Sequence, residues 1–93
     1  MGPLTSTLRN KINVKEIVDN KVTMLNPVTF TAAGKHQIGL IAEEVCEYYP
    51  ELTPLDDTGV PYTVNYELIN VLLLDKVNEL NRKLDERDVL LKN

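Results

Sequence analysis

Apolar positions recur along the chain in three rhythms, and each predicts a different element. Asn13 offers a helix N-cap with Glu16 three residues later, and Val14, Ile17, Val18, Val22 and Leu25 share one broad helical face. A short helix over 14–25 is therefore expected, ended by Asn26-Pro27 because the residue before proline is pushed out of the α region. Val28 and Phe30 then alternate with Thr29 and Thr31, the signature of a strand. Ala-Ala-Gly-Lys supplies a turn, and His36 to Ile41 can return as the second arm of a hairpin. Gly39 there suggests a bend or a close approach. Next, Ala42 to Tyr49 reads as a short helix stopped by Pro50, with Ile41, Val45 and Tyr48 or Tyr49 facing inward. Residues 50–61 hold three Pro, two Asp and a Gly, a loop with its turn at Asp57-Thr58-Gly59. Tyr62 and Val64 alternate with Thr63 and Asn65, which predicts one more short strand. Residues 1–12 show no clean periodicity.

The third rhythm decides the architecture. From Tyr66 to about Lys92 there is neither Gly nor Pro, and Asn65 can cap the start. Leu73, Val77, Leu80, Leu84 and Leu91 follow a 4-3-4 spacing with one gap. With Val77 at heptad position a, Leu80 is d, Leu84 is a, Arg87 is d, Leu91 is a, and Asn70 is also a. Some 26 residues of helix would span about 39 Å, longer than so small a body is wide. Its far half has little of its own chain to pack against, so these five residues are the expected oligomer interface. Ile69, Leu72, Leu73 and Leu74 make a wider apolar band, which suits packing on the small domain as well as on partners. Val77 at a with Leu80 at d favours two strands, Leu84 at a weakens that preference, and periodicity alone leaves the number of chains open. A helix folded across a compact monomeric core is the alternative.

Composition narrows the picture. The 93 residues are 43% hydrophobic and 26% charged, enough for one small domain or a small domain plus one long helix. The pattern predicts neither a membrane span nor a signal peptide, since no apolar run is long enough. A chain this short buries only roughly 60% of its unfolded surface as a monomer. The single Cys46 and single His36 exclude an internal disulfide and an ordinary structural zinc site, so self-assembly is the expected supplement. No cofactor or metal is expected. Net charge is −4 at pH 7. Residues 1–35 are net basic and residues 36–93 net acidic, with no dense basic cluster, which argues against a nucleic-acid partner.

The ordered motifs resemble one known family. They are Ser6-Thr7-Leu8-Arg9-Asn10-Lys11, Leu25-Asn26-Pro27-Val28-Thr29-Phe30-Thr31, His36-Gln37-Ile38-Gly39-Leu40-Ile41-Ala42-Glu43-Glu44-Val45, Tyr49-Pro50-Glu51-Leu52, and Val64-Asn65-Tyr66 before a long helix. Together, over residues 6 to about 85, they resemble the C-terminal intramolecular chaperone domain of phage tailspikes, tail fibres and neck appendages, the S74 peptidase family of which endosialidase tailspikes carry the best-known member. The resemblance implies an α+β fold. Residues 1–5 would be an upstream remnant and residues 6–65 a small domain of short helices and a β-hairpin or sheet. Residues 66–93 would be an oligomerisation helix forming a homotrimeric coiled coil or bundle. It also implies help in the registration and folding of three fibre chains of the same precursor, without nucleic acid or membrane. That work would take place in the host cytoplasm during virion assembly, with the domain then released or retained at the virion appendage.

Self-release is the chemistry that the resemblance adds. Such domains cut before a Ser within Ser-Asp-any-Arg-Leu-Lys, using a Ser–Lys dyad. The Ser falls on Ser6, the Arg on Arg9 and the Lys on Lys11, with Thr7 where Asp is usual and Asn10 where Leu is usual. The implied scissile bond is Thr5–Ser6. The family's His falls on His36, and Leu40 replaces a Phe. A serine hydroxyl needs a base, and a lysine in water, with pKa about 10.4, is too protonated to serve until burial depresses it. Lys11 would then activate Ser6 Oγ, with His36, Arg9 or backbone N–H groups as oxyanion donors. From residue types alone, Ser6, Lys11 and His36 are ordinary surface residues, and a five-residue Ser–Lys spacing proves nothing by itself. Asp56 and Asp57 lack the alternating ligands of a calcium loop, and Cys46 reads as a buried small hydrophobe. Glu43, Glu44, Glu47 and Glu51 read as a solvated or interchain face. A trimerisation domain that does not cleave, and a coiled-coil adaptor with a docking domain, are the competing functions.

Overall fold

In the computed structural model of the protein, the described residues are 7–92. They form a small α+β body and one long helix. Strands β1 (Val28–Ala32) and β2 (Lys35–Gly39) pair antiparallel, Val28 opposite Gly39 and Ala32 opposite Lys35. Helix α1 spans Ala42–Tyr48, and helix α2 spans Tyr66–Lys92. Short 3₁₀ turns lie at Leu8–Asn10, Val22–Met24 and Pro50–Leu52. The hairpin turn is the tight two-residue kind. Ala33 and Gly34 both have positive φ, 51° and 73°, which matches the twist of the paired strands.

The core is aliphatic and small. Val22, Leu25, Val45, Leu52, Val64 and Ile69 are buried, with Leu40, Ala42, Tyr48, Tyr49 and Leu72 packed against them. Val45 is completely enclosed, as the inward face of α1 requires. Ile41, expected on the same face, is 41% exposed. Four long-range hydrogen bonds lock this cluster. Asn26 N–H donates to Glu44 Oε1 at 2.8 Å, Leu40 N–H to Tyr66 Oη at 2.9 Å, Lys21 N–H to Tyr49 Oη at 2.9 Å, and Asn65 N–H to the Leu52 carbonyl at 2.8 Å. The motif segments beginning at Leu25, His36, Tyr49 and Val64 thus close the small body on one another.

Two expected elements are absent. Residues 14–25 form no helix apart from the turn at Val22–Met24. Asn13 and Asp19 both adopt φ of 54°, a left-handed conformation that Asn and Asp tolerate, so Asn13 is not a helix cap. Between them Val14, Ile17 and Val18 are β-branched and poor helix formers. Asn20 fixes the segment from its far end. Its Nδ2 donates to the Leu72 carbonyl at 2.9 Å and to Asp75 Oδ2 at 2.8 Å, while its Oδ1 accepts from Val22 N–H at 2.9 Å. These bonds to α2 replace those of a local helix, and 13–20 becomes a strap beside it. Residues 62–65 form no third strand, and the sheet among the described residues is β1 and β2 alone. Their N–H groups go to single partners instead, Tyr62 to the Pro54 carbonyl and Asn65 to the Leu52 carbonyl. The loop closes through one bridge, Leu55 to Pro61.

Helix α2 starts where expected. Asn65 Oδ1 accepts from Leu68 N–H at 3.3 Å, a side-chain N-cap. Its 27 residues extend about 40 Å, but only Ile69 is fully buried. Every described residue from Leu80 onward is exposed. No helix among the described residues is long and apolar enough to cross a membrane.

Candidate functional site

The N-terminal segment turns as a short 3₁₀ unit. Asn10 N–H donates to the Thr7 carbonyl at 3.2 Å, and Lys11 N–H to the Leu8 carbonyl at 2.9 Å. Asn10 Nδ2 also donates to Thr7 Oγ1 at 2.7 Å, so the two residues that depart from the family motif partner each other. The turn carries the Lys11 amine back over itself, and Lys11 Nζ lies 3.4 Å from the Thr7 carbonyl oxygen. The Lys11 amine therefore stands beside the Thr7–Leu8 peptide. Ser6 itself, with the Thr5–Ser6 bond and the expected segment 1–5, lies outside the described residues.

Around this turn the surface is open. Arg9 and Lys11 are exposed, and His36 is exposed on β2 opposite Thr31. The described residues leave Lys11 exposed, whereas a lysine base needs burial.

The acidic features are structural. Asp56 Oδ1 accepts from Thr58 Oγ1 at 2.6 Å, Thr58 N–H at 2.8 Å and Val60 N–H at 3.0 Å. The Thr58 hydroxyl, then the Val60 amide, hold its carboxyl below the usual aspartate range. That oxygen is committed to closing the turn, in which Gly59 takes φ of 84°. Among the described residues, no group of three or more His, Cys, Asp or Glu could hold a metal ion. Cys46 is half-buried on α1.

The largest unsatisfied feature is on α2. Leu73, Val77, Leu80, Leu84 and Leu91 fall within roughly 60° of helical arc at 3.6 residues per turn, and each is between 45% and 75% exposed. Ile69 and Leu72, which face the core, lie on one flank of the stripe, about 50° and 110° round the helix from its centre. Beside the stripe's N-terminal end, Val22, Leu25, Leu40, Ile69, Tyr66 and Leu73 line an almost wholly apolar groove of about 220 Å³. Polar groups brace the same flank of α2. Glu79 meets Lys76 Nζ at 2.8 Å and Lys83 Nζ at 3.1 Å, and these contacts, Lys76 first, keep its carboxyl below the ordinary glutamate value.

Sequence patterns pointed to the stripe and to the Ser6–Lys11 segment. They missed the Asn20 anchor on α2, the Thr7–Asn10 bond and the Tyr66 latch on Leu40. The only available signals were an Asn in a β-branched run and a Tyr at a helix start, neither of which names a partner. No family model, curated protein or solved structure matches this chain.

Proposed function

We propose that this chain is an intramolecular chaperone domain of the phage fibre, tailspike or neck-appendage type. It brings three copies of its precursor into register through α2 and then releases itself by cleavage at Thr5–Ser6. The observation that carries the proposal is the exposed stripe from Leu73 to Leu91 on a helix that outruns its own domain. Five large apolar side chains in a/d register, unpartnered in one chain, are what an assembly helix presents. The motif segments that bear the family resemblance also meet in the small body's core, which adds support. The work is done in the host cytoplasm during virion assembly.

For the release step, the Lys11 amine takes the Ser6 Oγ proton as that oxygen attacks the Thr5 carbonyl. The proton passes to the departing Ser6 amine as the Thr5–Ser6 peptide bond breaks. Water then hydrolyses the acyl ester and frees the Thr5 carboxylate and the Ser6 hydroxyl. Arg9 or His36 assists at the oxyanion. Proximity makes a modest catalyst sufficient for one turnover in cis.

A second reading, trimerisation without cleavage, is favoured by the exposure of Lys11 and by the Thr7–Asn10 bond that replaces the motif's usual residues. One experiment separates the two. In a precursor carrying the native upstream chain, light scattering gives the oligomer mass and intact mass spectrometry gives the cleavage state. A trimer cut before Ser6, and left whole by both Ser6→Ala and Lys11→Ala, supports the first reading. An uncut trimer supports the second, and a monomer at all concentrations overturns both.

A further inference from the structure

We infer that the apolar groove at the base of α2 is the receptor for Leu74 of a second copy of this chain, docked in a parallel, in-register association. The inference deepens the assembly proposed above and rests on it. With Val77 at position a, Ile69 and Lys83 fall at g, and Leu74 and Asp88 at e. In a parallel coiled coil, the g position of one helix faces the e position of the next heptad in its neighbour. Ile69 therefore faces Leu74 of the second copy, and Lys83 faces its Asp88.

At the first of these levels Ile69 is not a bare helix side chain. It is 6% exposed, because the small domain has closed over it, with Val22, Leu25 and Leu40 walling the groove above. Leu74 is 61% exposed, lies outside the a/d stripe, and has no place in the core of its own chain. The groove is continuous with the stripe, since Tyr66 and Leu73 belong to its rim. A leucine arriving at the e position would enter the pocket instead of resting on a polar flank.

The second level supplies charge complementarity. Lys83 meets Asp88 of the second copy while retaining Glu79 in its own chain, as an ammonium has donors for both carboxylates. An antiparallel arrangement sets g against g and e against e, which parts Lys83 from Asp88 and Leu74 from the groove. The contact is directional, groove to leucine, and rotation about the helix seam fills every groove with a Leu74, in the proposed trimer as in a pair. Each small domain grips the helix of the next copy, which ties the folding of one body to the register of all the helices.

The test uses the full chain. Leu74→Ser should weaken self-association at least about tenfold, while Val71→Ser, a comparably exposed apolar change at heptad position b beside its own Tyr49 and Leu52, should leave it within about twofold. Both should keep the wild-type helical circular dichroism, because neither residue is buried. In a Cys46→Ala background, Leu40→Cys combined with Leu74→Cys should oxidise to covalent species of two and three chains. Neither single cysteine should do so. An assembled wild type with Leu74→Ser no weaker than Val71→Ser, or with no interchain disulfide, overturns the docking and leaves the assembly standing. A wild type that never associates overturns both.

Discussion

Gly39 has no Cβ, and one built there would stand 2.6 Å from the Tyr66 hydroxyl oxygen. That hydroxyl accepts the Leu40 N–H at 2.9 Å, so the missing methyl group is what lets α2 latch onto the hairpin. Gly39→Ala should push the phenol aside and lose this bond, costing about 1–2 kcal/mol. Tyr66→Phe should cost about 1 kcal/mol by leaving the amide to water. The double variant should cost no more than Gly39→Ala alone, because the phenylalanine removes the atom that the new methyl group strikes. Urea unfolding of the four proteins measures the coupling, and full additivity would refute the latch. A close approach or bend at Gly39 was legible in the sequence, since a glycine inside a strand pattern asks for one. Its partner was not, because 27 positions separate the residues and no local period links them. The Thr7–Asn10 bond was hidden differently, since both residues registered only as departures from a motif.

At the scale of elements, local chemistry predicted what local chemistry controls. The hairpin was legible because its alternation and its Gly34 turn are self-contained, and α2 because 27 residues without Gly or Pro have one regular option. The segment 14–25 was misjudged because its apolar spacing suits a helix, while its bonds are decided by α2. An isolated helix of that length is marginal in water, and Asn20 bonded to the Leu72 carbonyl and Asp75 outweighs it. Residues 62–65 failed for a related reason, since alternation marks a strand only when another strand lies alongside. Asn20→Ala should therefore free the strap, costing about 1–2 kcal/mol, without lowering helix content, because residues 13–20 are not helical. Hydrogen–deuterium exchange should rise at Lys21 and Val22, whose amides are bonded in the anchored form, while the α2 amides near Leu80 stay unchanged. A fall in helical signal would mean that the strap holds α2 together and is not merely held by it.

The whole molecule has a radius of gyration of 17.5 Å, against about 12 Å for a compact chain of this length. The excess reflects α2 running past its core, whose last buried member is Ile69. Stability in such a chain divides into a part that one copy owns and a part that copies share. Leu80 and Leu84 are 47% and 56% exposed, and the proposed assembly assigns them to the shared part. Replacing both with Ser removes little packing from the monomer, whereas in an assembly it deletes two adjacent layers of the seam. Linkage then fixes the outcome, because a species stabilised by binding its own copies gains Tm as concentration rises. The wild-type Tm should climb several degrees between micromolar and hundred-micromolar chain, and the Leu80→Ser, Leu84→Ser variant should melt at one temperature throughout. At the lowest concentration the two curves should converge, since both then report the small core alone. A wild-type Tm independent of concentration, with a variant melting well below it at every dilution, would place those leucines in the monomer's own fold and remove the reason for assembly.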